Sequence, residues 1–159
     1  MFRFLSIVAY CAAFASIAPA EDKFVRLVNV ETGKVLAVKD DSDENESPTV
    51  LAKLDEKNKG QQWKIEQDGK FLKLVHRTSG KVLDVNDESK DEGTGIIIWD
   101  DKSDGNDNQR WSWVGEGKEK QLKSKSSELV LDVDGEGHIV QKNADEKSKK
   151  QLWRVEEVK

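Results

Sequence analysis

The stretch "GIIIWDDKSDGNDNQRWSW", residues 95–113, runs from four apolar residues through an acidic, turn-rich loop to Gln109-Arg110-Trp111. A Trp that closes a polar loop two residues after a Gln is an unusual pairing, and it recurs. Gln-x-Trp stands at QQW (61–63), QRW (109–111) and QLW (151–153). A second element precedes each: VLAV at 35–38, VLDV at 82–85 and VLDV at 130–133. The Val-Leu-x-Val elements lie 47 and 48 residues apart, the Gln-x-Trp elements 48 and 42. The flanks repeat as well. ETGKVLAV and TSGKVLDV are near copies and SSELVLDV a worn one; FVRLVNV and FLKLVHR share apolar positions that KQLKSKS keeps less well. Two motifs in fixed order, three times over, make a threefold internal repeat with units of roughly 46 residues.

Within each unit the pattern is one of short strands. FVRLVNV and KVLDV alternate, are rich in β-branched residues, and are separated by Thr-Gly or Ser-Gly turns. GTGIIIW reads as a strand apolar on both sides, and no segment sustains a helical period. The fold class is therefore all-β. Units this small cannot each bury a core, so three must share one, with Trp63, Trp111 and Trp153 contributed from equivalent positions. Each indole can bury on the order of 200 Å². The Gln two residues earlier suits a buried amide that ties its strand to a neighbouring loop.

The first twenty residues stand apart. Arg3 precedes an apolar run from Leu5 to Ile17, and Ala18-Pro19-Ala20 fits a small-residue cleavage site. That is the pattern of a secretory signal peptide over 1–20, and the run is short for a membrane span. A retained anchor is the alternative; lipid attachment at Cys11 is disfavoured by bulky Tyr10 beside it. The expected mature chain, 21–159, is exported, extracellular or periplasmic, with no membrane attachment after cleavage. It carries 25 Lys/Arg against 31 Asp/Glu, a net charge of −6, which repels phosphate backbones and argues against nucleic acid as a partner. Its only cysteine, Cys11, lies in the leader, so no disulfide can staple the domain. Apolar burial must hold it instead. Leu, Ile, Val and Phe make up 33 of the 139 residues, above the level at which chains stay disordered.

A tandem threefold Gln-x-Trp repeat with a Leu-Asp-Val element resembles the ricin-type β-trefoil lectin family across essentially all of 21–159. The resemblance implies a β-trefoil of three pseudo-equivalent lobes around a shared core, at approximately 21–69, 70–117 and 118–159. It implies a shallow sugar pocket in any lobe that keeps the chemistry, with carbohydrate as the partner. Half-cystines that the family usually carries are replaced here by Val35, Val82 and Asp101.

In that family an Asp of the Leu-Asp-Val element accepts hydrogen bonds from adjacent hydroxyls. A loop aromatic stacks on the sugar's C–H face, and an amide before Gln-x-Trp donates and accepts with the Gln behind it. The middle lobe matches throughout, with Asp84, Trp99, Asn108 and Gln109; Trp99 stands twelve residues before Trp111. The first lobe has Ala37, Leu51 and Gly60 at these places and is expected to be dead. The third keeps Asp132 and Gln151, with Gln141 at the counted stacking place and Lys150 at the Asn place, leaving room for a weak second site. The competing readings are Asp residues that cap turns and a Trp99 that packs between lobes. Trp113 is expected to pack at the core rim.

Other chemistry finds no frame. His76 and His138 stand alone and read as ordinary surface residues. The acidic loops do not fit calcium-loop spacing, since Lys102 takes the third place; a loose cation near Asp100, Asp101 and Asp104 is the alternative. GEGK and GEGH lack a phosphate-loop context, and Pro48 follows the Asn45-Glu46-Ser47 sequon. No catalytic residues, metal or cofactor are expected. The leading expectation is a non-catalytic lectin module with one principal site. The rivals are a protein-interaction or structural trefoil with relic pockets, for which a protein partner is open, and a targeting module serving a separately encoded enzyme.

Overall fold

Each repeat builds four strands in the computed structural model, which describes residues 22–159; the expected leader at 1–20 lies outside the described residues. The first repeat gives β1 (Val25–Asn29), β2 (Val35–Val38), β3 (Ser47–Ala52) and β4 (Trp63–Asp68). The second gives β5 (Phe71–His76), β6 (Val82–Val85), β7 (Ile96–Trp99) and β8 (Trp111–Val114). The third gives β9 (Glu119–Ser124), β10 (Val130–Val133), β11 (Ile139–Lys142) and β12 (Trp153–Glu157). A short 3₁₀ turn carries each Gln-x-Trp into its last strand, at Lys59–Gln61, Asp107–Gln109 and Lys149–Gln151.

The outer strands close a ring. β1 pairs with β4, β4 with β5, β5 with β8, β8 with β9, β9 with β12, and β12 with β1, all antiparallel. Closure removes the free edges that an open sheet would present. The inner strands form three hairpins, β2–β3, β6–β7 and β10–β11, linked to one another by β3–β7 pairing and by the bridges Val50↔His138 and Gly95↔Val140. The result is the three-lobed trefoil plan: a six-stranded barrel capped by a triplet of hairpins.

The core follows the same symmetry. Leu27, Leu74 and Leu122 face it from the first strand of each lobe, and Leu36, Leu83 and Leu131 from the second, all fully buried. The third repeat's worn flank therefore aligns on Leu122. Trp63, Trp111 and Trp153 belong to the same cluster at 0% exposure. Each indole N–H donates to the Leu carbonyl of its own Val-Leu-x-Val element: Leu36 at 3.2 Å, Leu83 at 3.1 Å and Leu131 at 3.4 Å. The two motifs that identify the repeat are thus one contact. Trp113 and Ile65 pack against the cluster while remaining partly exposed.

His76 corrects the sequence expectation of a surface residue. It is fully buried, its ring centroid 5.1 Å from that of Trp63. Its Nε2 meets the Gly60 carbonyl at 3.2 Å and its Nδ1 the Ser79 hydroxyl at 2.9 Å, so it joins the first lobe to the second. Asn29 holds the same place at the seam between third and first lobes, donating from Nδ2 to the Lys150 carbonyl at 2.9 Å and accepting from Thr32. Ser124 is the third member, buried opposite Trp111. A buried polar group is tolerated when its hydrogen bonds are made; those of His76 and Asn29 join neighbouring lobes, whereas Ser124 Oγ accepts from Ser126 N and Ser127 N of its own lobe.

Candidate functional site

The middle lobe brings its four singled-out residues to one place. Strand β6 alternates, so Leu83 and Val85 face the core while Asp84 turns outward; β7 does the same with Ile97 and Trp99. Pairing sets Asp84 opposite Ile97 and Val82 opposite Trp99, so the carboxylate and the indole share one face of the hairpin. The 3₁₀ turn Asp107–Gln109 then delivers Asn108 and Gln109 behind them. A cavity of about 260 Å³ opens among Asp84, Ile97, Trp99, Lys102 and Asn108, with Glu46, Asp87 and Glu88 at its rim.

The carboxylate of Asp84 is held by two amides. Asn108 Nδ2 donates to Oδ1 at 2.8 Å and Gln109 Nε2 to Oδ2 at 2.8 Å. Each carboxylate oxygen therefore keeps one acceptor direction, and the side chain cannot rotate without breaking a bond. Asn108 also donates to the Val85 carbonyl at 3.1 Å, while its Oδ1 lies 3.4 Å from Lys102 Nζ. Gln109 itself does not line the cavity. It is fully buried and clasps the loop by accepting from Lys102 N at 2.9 Å and donating to Asp100 O at 2.9 Å. Burial pushes the Asp84 carboxyl up to about 6, the bonds from Gln109 and Asn108 and the charge of Lys102 only partly offsetting it. Trp99 is half-buried, with part of its ring on the cavity wall.

The other lobes depart from this arrangement in different ways. In the first, Gly60 stands where the middle lobe has Asn108, and a Cβ there would come within 2.2 Å of Asp41 Oδ1. The space is taken: Asn58 Nδ2 donates to both Asp41 carboxylate oxygens at 2.9 Å. In the third, Asp132 is held by Gln151 Nε2 at 2.8 Å, and its Oδ1 is already used by the backbone N–H of Val133 at 2.6 Å.

Gln141 requires a correction. Pairing sets it opposite Leu131, as Ile98 stands opposite Leu83, so it faces inward and is fully buried. Its amide accepts from Ser127 at 2.7 Å and donates to the Ser89 and Asp91 carbonyls at 3.0 Å, joining the second lobe to the third, away from Asp132. Lys142, opposite Val130, takes the position of Trp99. Leu51 is likewise inward, and Ala52 is the first lobe's counterpart. The count failed by one residue, and in a strand one residue reverses the face.

The acidic loop after Trp99 is engaged in ion pairs. Asp100 meets Lys81 at 2.6 Å, and Asp101 meets Lys73 at 2.5 Å and Arg110 at 3.4 Å. Among the described residues no group of three His, Cys, Asp or Glu is placed to hold a metal ion.

The family model described as the ricin-type beta-trefoil lectin domain matches residues 23–153. The chain therefore belongs to that family, whose domains are in general non-catalytic carbohydrate-binding modules. Among solved structures, a designed threefold-symmetric protein, ThreeFoil, is 29% identical with a TM-score of 0.76, over 83% of this chain and 96% of that one. An exo-beta-1,3-galactanase from Clostridium thermocellum is 32% identical with a TM-score of 0.75, over 86% of this chain; the present chain spans 30% of that enzyme. A Polyporus squamosus lectin bound to a human-type influenza-binding epitope shares the fold at 18% identity and a TM-score of 0.71, over 87% of this chain and 50% of that one. No curated protein matches the chain.

Proposed function

We propose that this member of the ricin-type β-trefoil lectin family binds carbohydrate through one principal site, the middle-lobe cavity, and has no catalytic activity of its own. The observation that carries the reading is the convergence of a restrained carboxylate, a half-buried indole and a buried amide on a single cavity, a combination the other two lobes lack. Asp84 accepts from two adjacent sugar hydroxyls through the acceptor directions its amides leave open. Trp99 stacks against the C–H face of the ring. Asn108 spends its two N–H on Asp84 and the Val85 carbonyl and offers Oδ1 as an acceptor to a hydroxyl, and Gln109 fixes Asp84 from behind. The third lobe, with Lys142 and Lys150 in the aromatic and amide places, contributes little.

A shallow site of this kind supports a dissociation constant near millimolar, about −4 kcal/mol, so useful avidity needs dense glycans or several copies of the chain. Residues 1–20 serve as a cleaved export signal, which puts the module where extracellular or periplasmic saccharides are. A glycan array probed with the mature protein, with Asp84→Ala and with Trp99→Ala tests the reading. Signal lost in both variants supports it. A glycan signal that both variants retain moves the site elsewhere, and a protein partner recovered insensitively to sugar would favour an interaction trefoil with relic pockets.

A further inference from the structure

The charge around the cavity is lopsided. Glu46, Asp84, Asp87 and Glu88 line it against a single ammonium, that of Lys102. Lys102 is committed to Glu88, with Nζ at 2.7 Å from its carboxylate. Asp84 is held by two neutral amides. Glu46 and Asp87 remain, both exposed at the rim and without a side-chain partner among the described residues.

Glu46 comes from the first lobe, not the middle one. Asn45 Nδ2 donates to Asp100 Oδ2 at 3.0 Å, Asp100 N donates back to Asn45 Oδ1 at 3.0 Å, and Glu46 N donates to the Ile98 carbonyl at 3.1 Å. These bonds dock the first lobe's loop on the strand that ends in Trp99. The next seam repeats the backbone bond, from Gly93 N to the Gln141 carbonyl, and there the residue is a glycine at φ +82°. Glu46 holds the same left-handed conformation, φ 66°, and Asp87 sits at φ 54°. A glutamate side chain in that region costs on the order of 1 kcal/mol, so the Glu46 carboxylate is kept at the rim against the preference of its backbone, whereas the conformation of Asp87 is one that aspartate admits and that Asp40 shares in the first lobe.

We propose that the cavity selects saccharides bearing a free, positively charged amine over their neutral counterparts, with Glu46 and Asp87 supplying the countercharge and with acidic sugars excluded. The inference rests on the middle-lobe cavity being the sugar site. Glu46 is then a specificity residue contributed across the lobe seam, one that binds through charge and leaves stacking to Trp99.

The test uses methyl glycosides of glucose, galactose and mannose stereochemistry, each with a hydroxyl, an acetamide or a free amine at C2, together with the matching uronates. They are titrated at pH 7 while the Trp99 indole signal is followed by NMR. The variant is E46G/D87N, whose residues both tolerate a left-handed backbone, so folding is preserved. In the wild type the amine form should bind about tenfold tighter than its neutral partners, and the uronates more weakly than either. In the variant that ratio should fall to within about twofold while neutral sugars still bind. A wild-type ratio near one, or a ratio the variant leaves unchanged, overturns the charge inference alone. Absence of binding by every sugar, neutral forms included, overturns the sugar-site reading and this inference with it.

Discussion

Gln109 Nε2 donates to Asp84 Oδ2 at 2.8 Å, and Gln151 Nε2 donates to Asp132 Oδ2 at the same distance. Gln61, the first-lobe counterpart, has Ala37 where those lobes have an aspartate and makes only the loop bonds, to Lys53 O and from Asp55 N, both at 2.9 Å. One residue type therefore serves two purposes, clasping a loop in all three lobes and orienting a carboxylate in two.

Gln61 and Gln109 should separate under mutation. Gln61→Ala and Gln109→Ala should each cost roughly 1–3 kcal/mol in urea unfolding, since both delete the two hydrogen bonds by which a buried amide clasps its loop. Only Gln109→Ala should also weaken sugar binding. Equal loss of binding in both variants would show that the clasp, and not the orientation of Asp84, matters to the ligand.

The Asp84 carboxyl, raised from 3.8 to about 6 by burial, gives two pH effects of opposite sign. Sugar affinity should fall as pH drops below about 6, because a protonated carboxyl loses an acceptor. Stability runs the other way: between the unfolded and folded values the native state binds more proton, so the contribution of Asp84 worsens as pH rises from about 4 to 6. Relative to Asp84→Asn, the wild type should be more stable at pH 4.5 than at pH 7.5. A relative stability independent of pH in urea titrations would rule out the shift.

Trp153→Ala should cost about 3–5 kcal/mol by emptying a fully buried indole site, and the chain has no disulfide to compensate. Trp99→Ala should cost under about 2 kcal/mol, its ring being half-buried, yet remove binding. The pair distinguishes core indoles from the cavity indole by thermal unfolding and sugar titration together.

His76→Asn should be tolerated within about 1 kcal/mol, because Asn29 already makes the equivalent bonds at another seam. His76→Leu should cost more, leaving the Gly60 carbonyl without its side-chain partner and the Ser79 hydroxyl with only the Lys81 N–H. Burial lowers the His76 pKa from 6.5, so its neutral form stabilises the fold above that value and the contribution is lost as pH falls below it. His76→Asn should remove that part of the acid sensitivity, as read from unfolding midpoints at pH 7.5 and 5.

The repeat was legible because Trp and Leu were copied at every lobe, and both proved to be partners in one contact. The middle-lobe residues were legible from their coincidence in a single unit. Gln141 was not, because the count of twelve from Trp99 to Trp111 does not transfer: Lys142 precedes Trp153 by eleven, and the shorter connection shifts the strand face. His76 escaped because its position is held by Asn, His and Ser in turn, three residues with no shared pattern except a burial that sequence does not display. The filling of the first-lobe pocket escaped too, since it depends on Asp41 folding into the room that Gly60 leaves.

The pairing of β1 with β12, from Val25 opposite Glu157 to Asn29 opposite Trp153, also sets a schedule. A ribosome delivers the first partner more than a hundred residues ahead of the last, so the nascent chain must wait with an open strand at each flank. Such distant pairings are slow to form, and unpaired flanks invite a neighbouring copy. Synthesis halted before Trp153 should therefore leave a product prone to association, which makes the final strand the latch that turns a sticky intermediate into a self-contained molecule.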